Sequence, residues 1–351
     1  MDFRFSDEQQ MMADSVRGLL ADLCRPADLR RLLRSGAARD EQRWAAIVGL
    51  GLAGALVPEE KGGLGLAPAD FVLVAEACGY ACLPEPLVEN AGVAVPLLAQ
   101  AAPGHAALAR ALAGEITVAA AHPLNPFIAD ADTAGVILVE RDGALLLVSP
   151  ADARLAVQPS IDPFRRLFTV EFAPKAATPV AGADEAAALL DAALDRGALF
   201  VAAQLLGIAQ RCVDLAAAYA RERHQFGRPI GSFQAVKHHL AAAQVKIAFA
   251  RPVVYAAAAE QPRGDLHSRA RVSHAKLAAG AAADLSARTA IQIHGAMGYS
   301  WEVDVHFFLK RALALDAWWG TAAFHRRRVA ERVFGGRLGP ERTFARERHD
   351  A

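Results

Sequence analysis

"RERHQFGRPIGSFQAVKHHLA", residues 221–241, sets two arginines, a Phe-Gly turn, a proline and a Phe-Gln pair ahead of an apolar helix. Arg221 and Arg223 fall at a helix end, where cations complement the helix dipole. Gly227 and Gly231 flank Pro229 in a turn, and Ser232 is placed to cap the next helix. Phe233, Val236 and Leu240 recur at the spacing of a buried helical stripe. That structural account leaves Gln234, and the aromatic at Phe226, without a reason. A second account covers both. An arginine, a helix N-terminus and a side-chain amide converge as an anion site of the kind that holds a pyrophosphate.

Outward from this stretch the chain is helical. Four long segments, at about 184–222, 232–260, 267–295 and 303–334, are rich in alanine and joined by short connections. They predict a helical bundle. Upstream, "EITVAAA", "AGVILVERDGALLLVSP" and "LFTVEFAP" are short β-rich runs, and Asp142-Gly143 is a hairpin signal. Before Gly114 the pattern is helical again. Ser6, followed by Asp7 and Glu8, caps a run to Leu23. A second helix is expected over Asp40–Gly51, with Trp44, Ile47 and Leu50 on one face. "LVPEEKGGLGLAPAD", 56–70, reads as a loop, Asp70 opens a helix over Phe71–Cys78, and Pro84 and Pro86 precede another near 88–101. The expected architecture is mostly α with a small β domain: an N-terminal helical domain (1–112), a reduced middle β domain (113–180) and a C-terminal four-helix bundle domain (181–351).

Composition narrows the function classes. Of 351 residues, 54% are hydrophobic and 22% charged, and the formal net charge is +0. Neither a nucleic-acid footprint nor an acidic tail follows from that balance. Cys24, Cys78, Cys82 and Cys212 are scattered and read as reduced core thiols, with no second pair to complete a metal site. No N-terminal signal pattern is visible. Apolar stretches such as 197–209, broken by Gln204, fall short of the roughly 18 residues of a membrane span. A cytoplasmic protein with no membrane span is expected.

A second stretch carries the argument further. "AIQIHGAMGYSWEVDVHFFLKRA", 290–312, ends a helix at a Gly-containing turn and restarts with acids early and Lys310-Arg311 late. Together with 221–241 it resembles the acyl-CoA dehydrogenase family. "RHQFGRPIGSFQ" is similar to that family's arginine, Phe-Gly, Phe-Gln segment. "QIHGAMGYSWEVDVHFFLKRA" is similar to its Gln-x-x-Gly-Gly-x-Gly-Tyr/Phe segment, and "LVPEEKGGLGL" to its N-terminal Pro-Glu-Glu-x-Gly-Gly-x-Gly loop. The resemblance implies oxidation of an acyl-CoA thioester to the 2-enoyl-CoA. In such reactions a carboxylate removes the α-proton, the β-hydride passes to FAD, and an electron-transfer acceptor protein takes the electrons on. It also implies oligomers with FAD between subunits. Carried over, Arg223 and Gln234 contact the FAD pyrophosphate of a neighbour and Phe226 packs against that cofactor. Gln292 and Gly295 line its adenosine end, and Thr321 sits near it.

The chain departs from the family pattern where the chemistry should be. The Tyr-Glu-Gly-Thr segment that carries the base reads "AWWGT", which puts Trp319 at the glutamate position. A tryptophan cannot take a proton. The alternative glutamate position of the family falls at Ala281. Asp284, one turn on, is a weak catalytic candidate, better read as a solvated or paired helix residue. Glu302 and Asp304 are read as starting the next helix. The Thr-Glu-Pro…Gly-Ser-Asp and Trp-x-Thr/Ser strands are missing from 113–180, where "AAAHPLNPF" stands in place of the first, and the family's glutamine after Thr321 is Ala323. The half that reaches a neighbour's FAD is kept, while the half that holds the chain's own flavin and base is eroded. The resemblance therefore points to the base-lacking subunit of a heteromeric enzyme with a homologous partner, a type that often acts on bulky thioesters such as sterol side chains. A self-sufficient, homo-oligomeric dehydrogenase with a displaced base, or a scaffold without flavin, are the alternatives.

Overall fold

The computed structural model describes residues 4–261 and 266–335. Helix α1 (Asp7–Leu23) opens on a reciprocal cap: Gln9 N donates to Ser6 Oγ, and Ser6 N donates to Gln9 Oε1. Helix α2 (Pro26–Ser35), which the sequence does not separate from its neighbours, starts with proline at its first position and ends at left-handed Gly36. Asp40 caps α3 (Glu41–Val48), shorter than the expected Asp40–Gly51. Helix α4 (Pro68–Ala81) is longer than expected at both ends, and Cys82 closes it in a left-handed turn. The helix expected near 88–101 is in three parts: α5 (Leu87–Glu89), a π turn (Asn90–Ala94) and α6 (Val95–Ala101). Pro96 has no N–H to give its preceding turn, and ahead of it Val95 N bonds Asn90 O across the wider spacing. Helix α7 (Ala106–Leu112) completes the N-terminal helices.

The middle β region holds two sheets. Strands β1 (Thr117–Ala120), β3 (Ala134–Arg141), β4 (Ala144–Val148) and β7 (Ala177–Ala181) pair in the order β1-β3-β4-β7. Strands β2 (Ile128–Ala129), β6 (Leu167–Phe172) and β5 (Ala153–Gln158) pair in the order β2-β6-β5. The β3–β4 hairpin turns at Asp142 and Gly143, both at positive φ, as their side chains allow.

Helix α8 (Ala183–Glu222) is the axis of the molecule, with every residue from Ala193 to Ala209 buried. It is long and apolar enough to cross a membrane by composition, which the sequence reading did not expect, yet 94% of that window lies inside the fold. It crosses α4 at two glycines. A Cβ on Gly79 would fall 2.0 Å from the Gln204 carbonyl oxygen, and one on Gly207 2.0 Å from that of Glu76. Only glycine lets the two backbones approach this closely. A two-stranded ribbon, β8 (His224–Gln225) with β9 (Arg228–Pro229), leads from α8 to α9 (Gln234–Glu260), and α10 (Leu266–His294) packs back on both long helices.

Two expectations fail here. Ser232 does not cap α9: its Oγ donates to Pro229 O, and the cap position belongs to Phe233, with no side-chain bond. The segment expected as one helix over 303–334 is two, α11 (Val305–Ala317) and α12 (Ala322–Gly335). The break is forced by Trp319 (φ 55°) and Gly320 (φ 95°), which leave the right-handed region in succession.

Candidate functional site: an exposed arm and a closed cleft

The residues singled out in the sequence lie in two places. The first is the α8–α9 ribbon. Arg223 caps α8 in extended conformation, its N–H bonded to Tyr219 O and its carbonyl accepting from Ile230 N, which closes the ribbon. Phe226 (φ 54°) and Gly227 (φ 77°) form the turn. Gly227 adopts that conformation freely, whereas for a bulky aromatic it is strained. Phe226 is nevertheless 90% exposed, edge-to-face with Phe233 at 6.1 Å between ring centroids, and Arg228 stacks over Phe233 at 4.3 Å. Arg223 and Gln234 are exposed. Among the described residues the Arg223 guanidinium meets no carboxylate or ring. A strained turn that holds an apolar ring in water, beside a free guanidinium and an amide at the start of α9, fits a flat polyanionic ligand such as FAD arriving from outside the chain.

Gln292 and Gly295 belong to the same end of the molecule. They are exposed at the end of α10, where Gly295 takes φ 62°. Between them His294 is buried and stacks on Tyr219 of α8 at 4.3 Å. That stack fixes the end of α10 against the root of the ribbon.

Thr321 is elsewhere. It starts α12, accepting from Phe324 N through Oγ1 and from His325 N through its carbonyl. Its neighbour Trp319 packs on Gly197, so tightly that a Cβ there would fall 2.3 Å from the indole. Gly197 and Arg223 stand roughly 40 Å apart along α8 at about 1.5 Å per residue. Within one chain, therefore, Thr321 and the arm do not form one site.

Around Trp319 the cleft between the N-terminal helices, the β region and α8 is filled. Trp319 is 1% exposed and held at three points. Its backbone N–H donates to Asn125 Oδ1 at 2.9 Å, its carbonyl pairs with His325 Nε2 at 2.9 Å, and its indole N–H reaches both oxygens of Glu89 at 3.1 Å. His122 stands at 5.4 Å, and burial pushes its pKa down to about 4, so the ring is neutral. Trp318 lies beside it with the Arg165 guanidinium 4.2 Å over its ring. Burial raises the Glu89 carboxyl above the ordinary range, opposed first by Arg165 and then by the Trp319 N–H. Burial likewise pushes Asp130 up to about 7. Glu89, Arg165 and Asp130 carry no sequence signal: they meet one another beside the Trp318–Trp319 pair from segments far apart in the chain.

The other candidate acids are structural. Asp284 is exposed and accepts from Arg288 Nε at 2.7 Å, one turn along the same helix, as its bland reading expected. Ala281 is also exposed. Glu302 and Asp304 do not cap α11 with their side chains. Arg30 of α2 binds the Asp304 carboxylate at 2.6 Å and the Glu302 carbonyl at 2.7 Å, tying the loop to the N-terminal helices. The four cysteines are free and buried, and burial raises each thiol, that of Cys24 to about 12.

Comparison with known proteins follows this layout. Residues 6–104 match the N-terminal domain of acyl-CoA dehydrogenases and residues 187–334 the C-terminal domain. The chain is 35% identical over 312 residues to acyl-CoA dehydrogenase IpdE2 of Mycobacterium tuberculosis (strain ATCC 25618 / H37Rv), covering 87% of this chain and 91% of that protein. It is 32% identical over 333 residues to the IpdE2 of Mycolicibacterium smegmatis (strain ATCC 700084 / mc(2)155), covering 94% and 100%. In fold it is similar to a chain of the ChsE4-ChsE5 complex from Mycobacterium tuberculosis, with a TM-score of 0.83, 24% identity, and 96% and 100% of the two chains covered. The matched domains and the extent of identity place the chain in the acyl-CoA dehydrogenase family.

Proposed function

We propose that this chain is one subunit of a heteromeric, FAD-dependent acyl-CoA dehydrogenase, in which it completes the FAD site of a homologous catalytic partner. One observation carries the proposal: Trp319, which the motif resemblance puts at the position of the family's base, fills the chain's own cleft, bonded on three sides. The chemistry FAD supplies in this family is acceptance of a hydride from the acyl β-carbon. The part of this chain is to bind. Arg223 offers a forked, permanently charged donor to a pyrophosphate, Gln234 an amide beside the first turn of α9, and Phe226 an apolar face for a ring. Gln292 and Gly295 extend that surface toward the far end of the cofactor, and Thr321 stays with the closed cleft. The similarity to a chain solved as part of a two-component complex supports a partner. The proposed substrates are bulky CoA thioesters, sterol-derived ones among them, and the electrons leave to an electron-transfer protein.

A second reading rests on Glu89. Its carboxylate touches Trp319 and its pKa is raised, as a base working near neutral pH requires. On that reading the chain is a self-sufficient dehydrogenase with a displaced base. The flavin spectrum of the chain expressed alone separates the two. The heteromer predicts colourless or weakly yellow protein that gains flavin only with its partner, sought first as an adjacent, longer homologue. Full flavin occupancy in the chain alone overturns it.

A further inference from the structure

A cavity of about 560 Å³ lies between α1, α2, α4 and α8, apart from both the arm and the Trp319 cleft. Its volume is in the range of roughly 300–1,000 Å³ that holds small-molecule ligands. The floor is apolar, made by Leu20, Cys24, Leu29, Ala77 and Phe308. Gly207 adds no side chain to that wall, because it is where α8 meets α4. Arg17 and Arg25, both exposed, stand at the mouth, and Arg211 forms part of the wall.

The polar groups are unequal. Arg17 pairs with Asp14 and Arg25 with Asp28. Glu76 is the acid of the lining, and it is engaged by Arg251 at 3.2 Å and Tyr255 at 2.6 Å. The Tyr80 hydroxyl donates to Asp214, whose other oxygen accepts from Gln210. Arg211 differs from all of these. It is half-buried, its guanidinium lies 5.1 Å over the Tyr80 ring, and its polar partner is the Tyr80 oxygen, in a long bond of 3.3 Å. Among the described residues it pairs with no carboxylate. A guanidinium pre-oriented on a ring, without an acid, at the wall of an apolar cavity is the usual arrangement for holding a carboxylate whose body is apolar.

We propose that this cavity is a binding site for an apolar monocarboxylate, with the carboxylate on Arg211 and the hydrocarbon body against the α1–α4 floor. The site is separate from the FAD arm and does not depend on the chain's role there.

The test is titration calorimetry of the full-length chain, purified with whatever partner it retains, using decanoate as probe. Decanoate is expected to bind saturably near one per chain. Decanol, without the charge, and butyrate, without the body, should each bind at least tenfold more weakly. Arg211→Met keeps the stem and removes the charge, and should weaken decanoate tenfold or more. Ala21→Trp fills the mouth from an exposed position that the core does not use, and should abolish binding while flavin content stays unchanged. Non-saturable uptake, equal binding of decanol, or unchanged decanoate affinity in either variant would overturn the proposal.

Discussion

Removing the indole of Trp319 should cost this protein stability and leave the α8–α9 ribbon intact. The side chain is 1% exposed, packs on the bare backbone of Gly197, and gives its N–H to Glu89. Truncation of a buried tryptophan to alanine costs about 3–5 kcal/mol in lost transfer and cavity terms. The break between α11 and α12 leaves little freedom for collapse, because the Trp319 backbone is itself bonded to Asn125 and His325. Trp319→Ala should therefore fall in the upper part of that range. Trp319→Phe keeps most of the apolar body and loses the N–H, leaving a largely buried carboxylate short of a donor, which costs about 1–3 kcal/mol. Glu89→Gln in the Phe background should recover part of that loss, since an amide is cheaper to leave underbonded than a charge. Urea unfolding followed by far-UV circular dichroism gives all four values. Retained FAD in the assembled enzyme is the control, because the arm lies roughly 40 Å away along α8. A loss below about 1 kcal/mol in Trp319→Ala, the size expected of a surface substitution, would refute the plugged cleft.

Arg223→Ala should lower FAD affinity in the assembled enzyme by roughly ten- to a hundredfold, the worth of one charge-assisted contact, while unfolding free energy moves by less than about 0.5 kcal/mol. Equilibrium dialysis of the flavin checks the first and denaturant unfolding the second; unchanged affinity would make Arg223 a helix-end charge. Asp284→Asn, Glu302→Gln and Glu89→Gln should each keep acyl-CoA-dependent flavin reduction, read in single turnover, within about tenfold of the parent. A lost general base costs about 10²–10⁴, so a thousandfold fall in one of them with assembly intact would move the chemistry into this chain. Asp130→Asn tests the pH dependence. The native carboxyl is raised to about 7, so the folded state holds a proton that the unfolded chain has released, and the contribution of Asp130 to stability falls as pH rises from about 4 toward 7, with a limiting slope of ~1.4 kcal/mol per pH unit. Asparagine tolerates the left-handed backbone there, so the variant should gain on the wild type across that window in denaturation series; parallel curves would contradict it.

What the sequence made legible was local chemistry. The Ser6 cap, the Asp142-Gly143 hairpin and the Phe226–Gly227 turn are set by residues within a few positions of one another, and each is found as expected. The α11–α12 break was not legible, because the apolar spacing continues through 303–334 and Gly320 alone does not say that Trp319 also turns left-handed. What holds Trp319 there is long-range: Asn125, Glu89 and Gly197, brought together only by the fold. The failed cap at Ser232 has the same origin. Gly231 sits against the Ala220 carbonyl oxygen, where a Cβ would fall at 2.9 Å, and that approach, not the serine, sets where α9 begins.

The same distinction bears on the proposed loss of the base. The arm needs little from the core: Arg223, Phe226 and Gln234 are exposed, and their geometry comes from one ribbon and one helix start. On the proposed function a change there costs binding and hardly any stability, and a ligand is what gives Phe226 a reason to be strained and uncovered. The cleft is the reverse. Once Trp319 occupies it, Asn125 holds its backbone N–H, and His122, Glu89 and Arg165 lean on the indole or on the Trp318 ring. A glutamate at that position would face the Glu89 carboxylate where an N–H now stands, two acids in one buried site, and one of them would have to stay protonated. Trp319→Glu is therefore not a restoration of the family's base. Its gain of proton-abstracting activity is expected to be nil unless Glu89 is neutralised with it, and turnover by Trp319→Glu alone would show that the cleft is more open than its contacts describe.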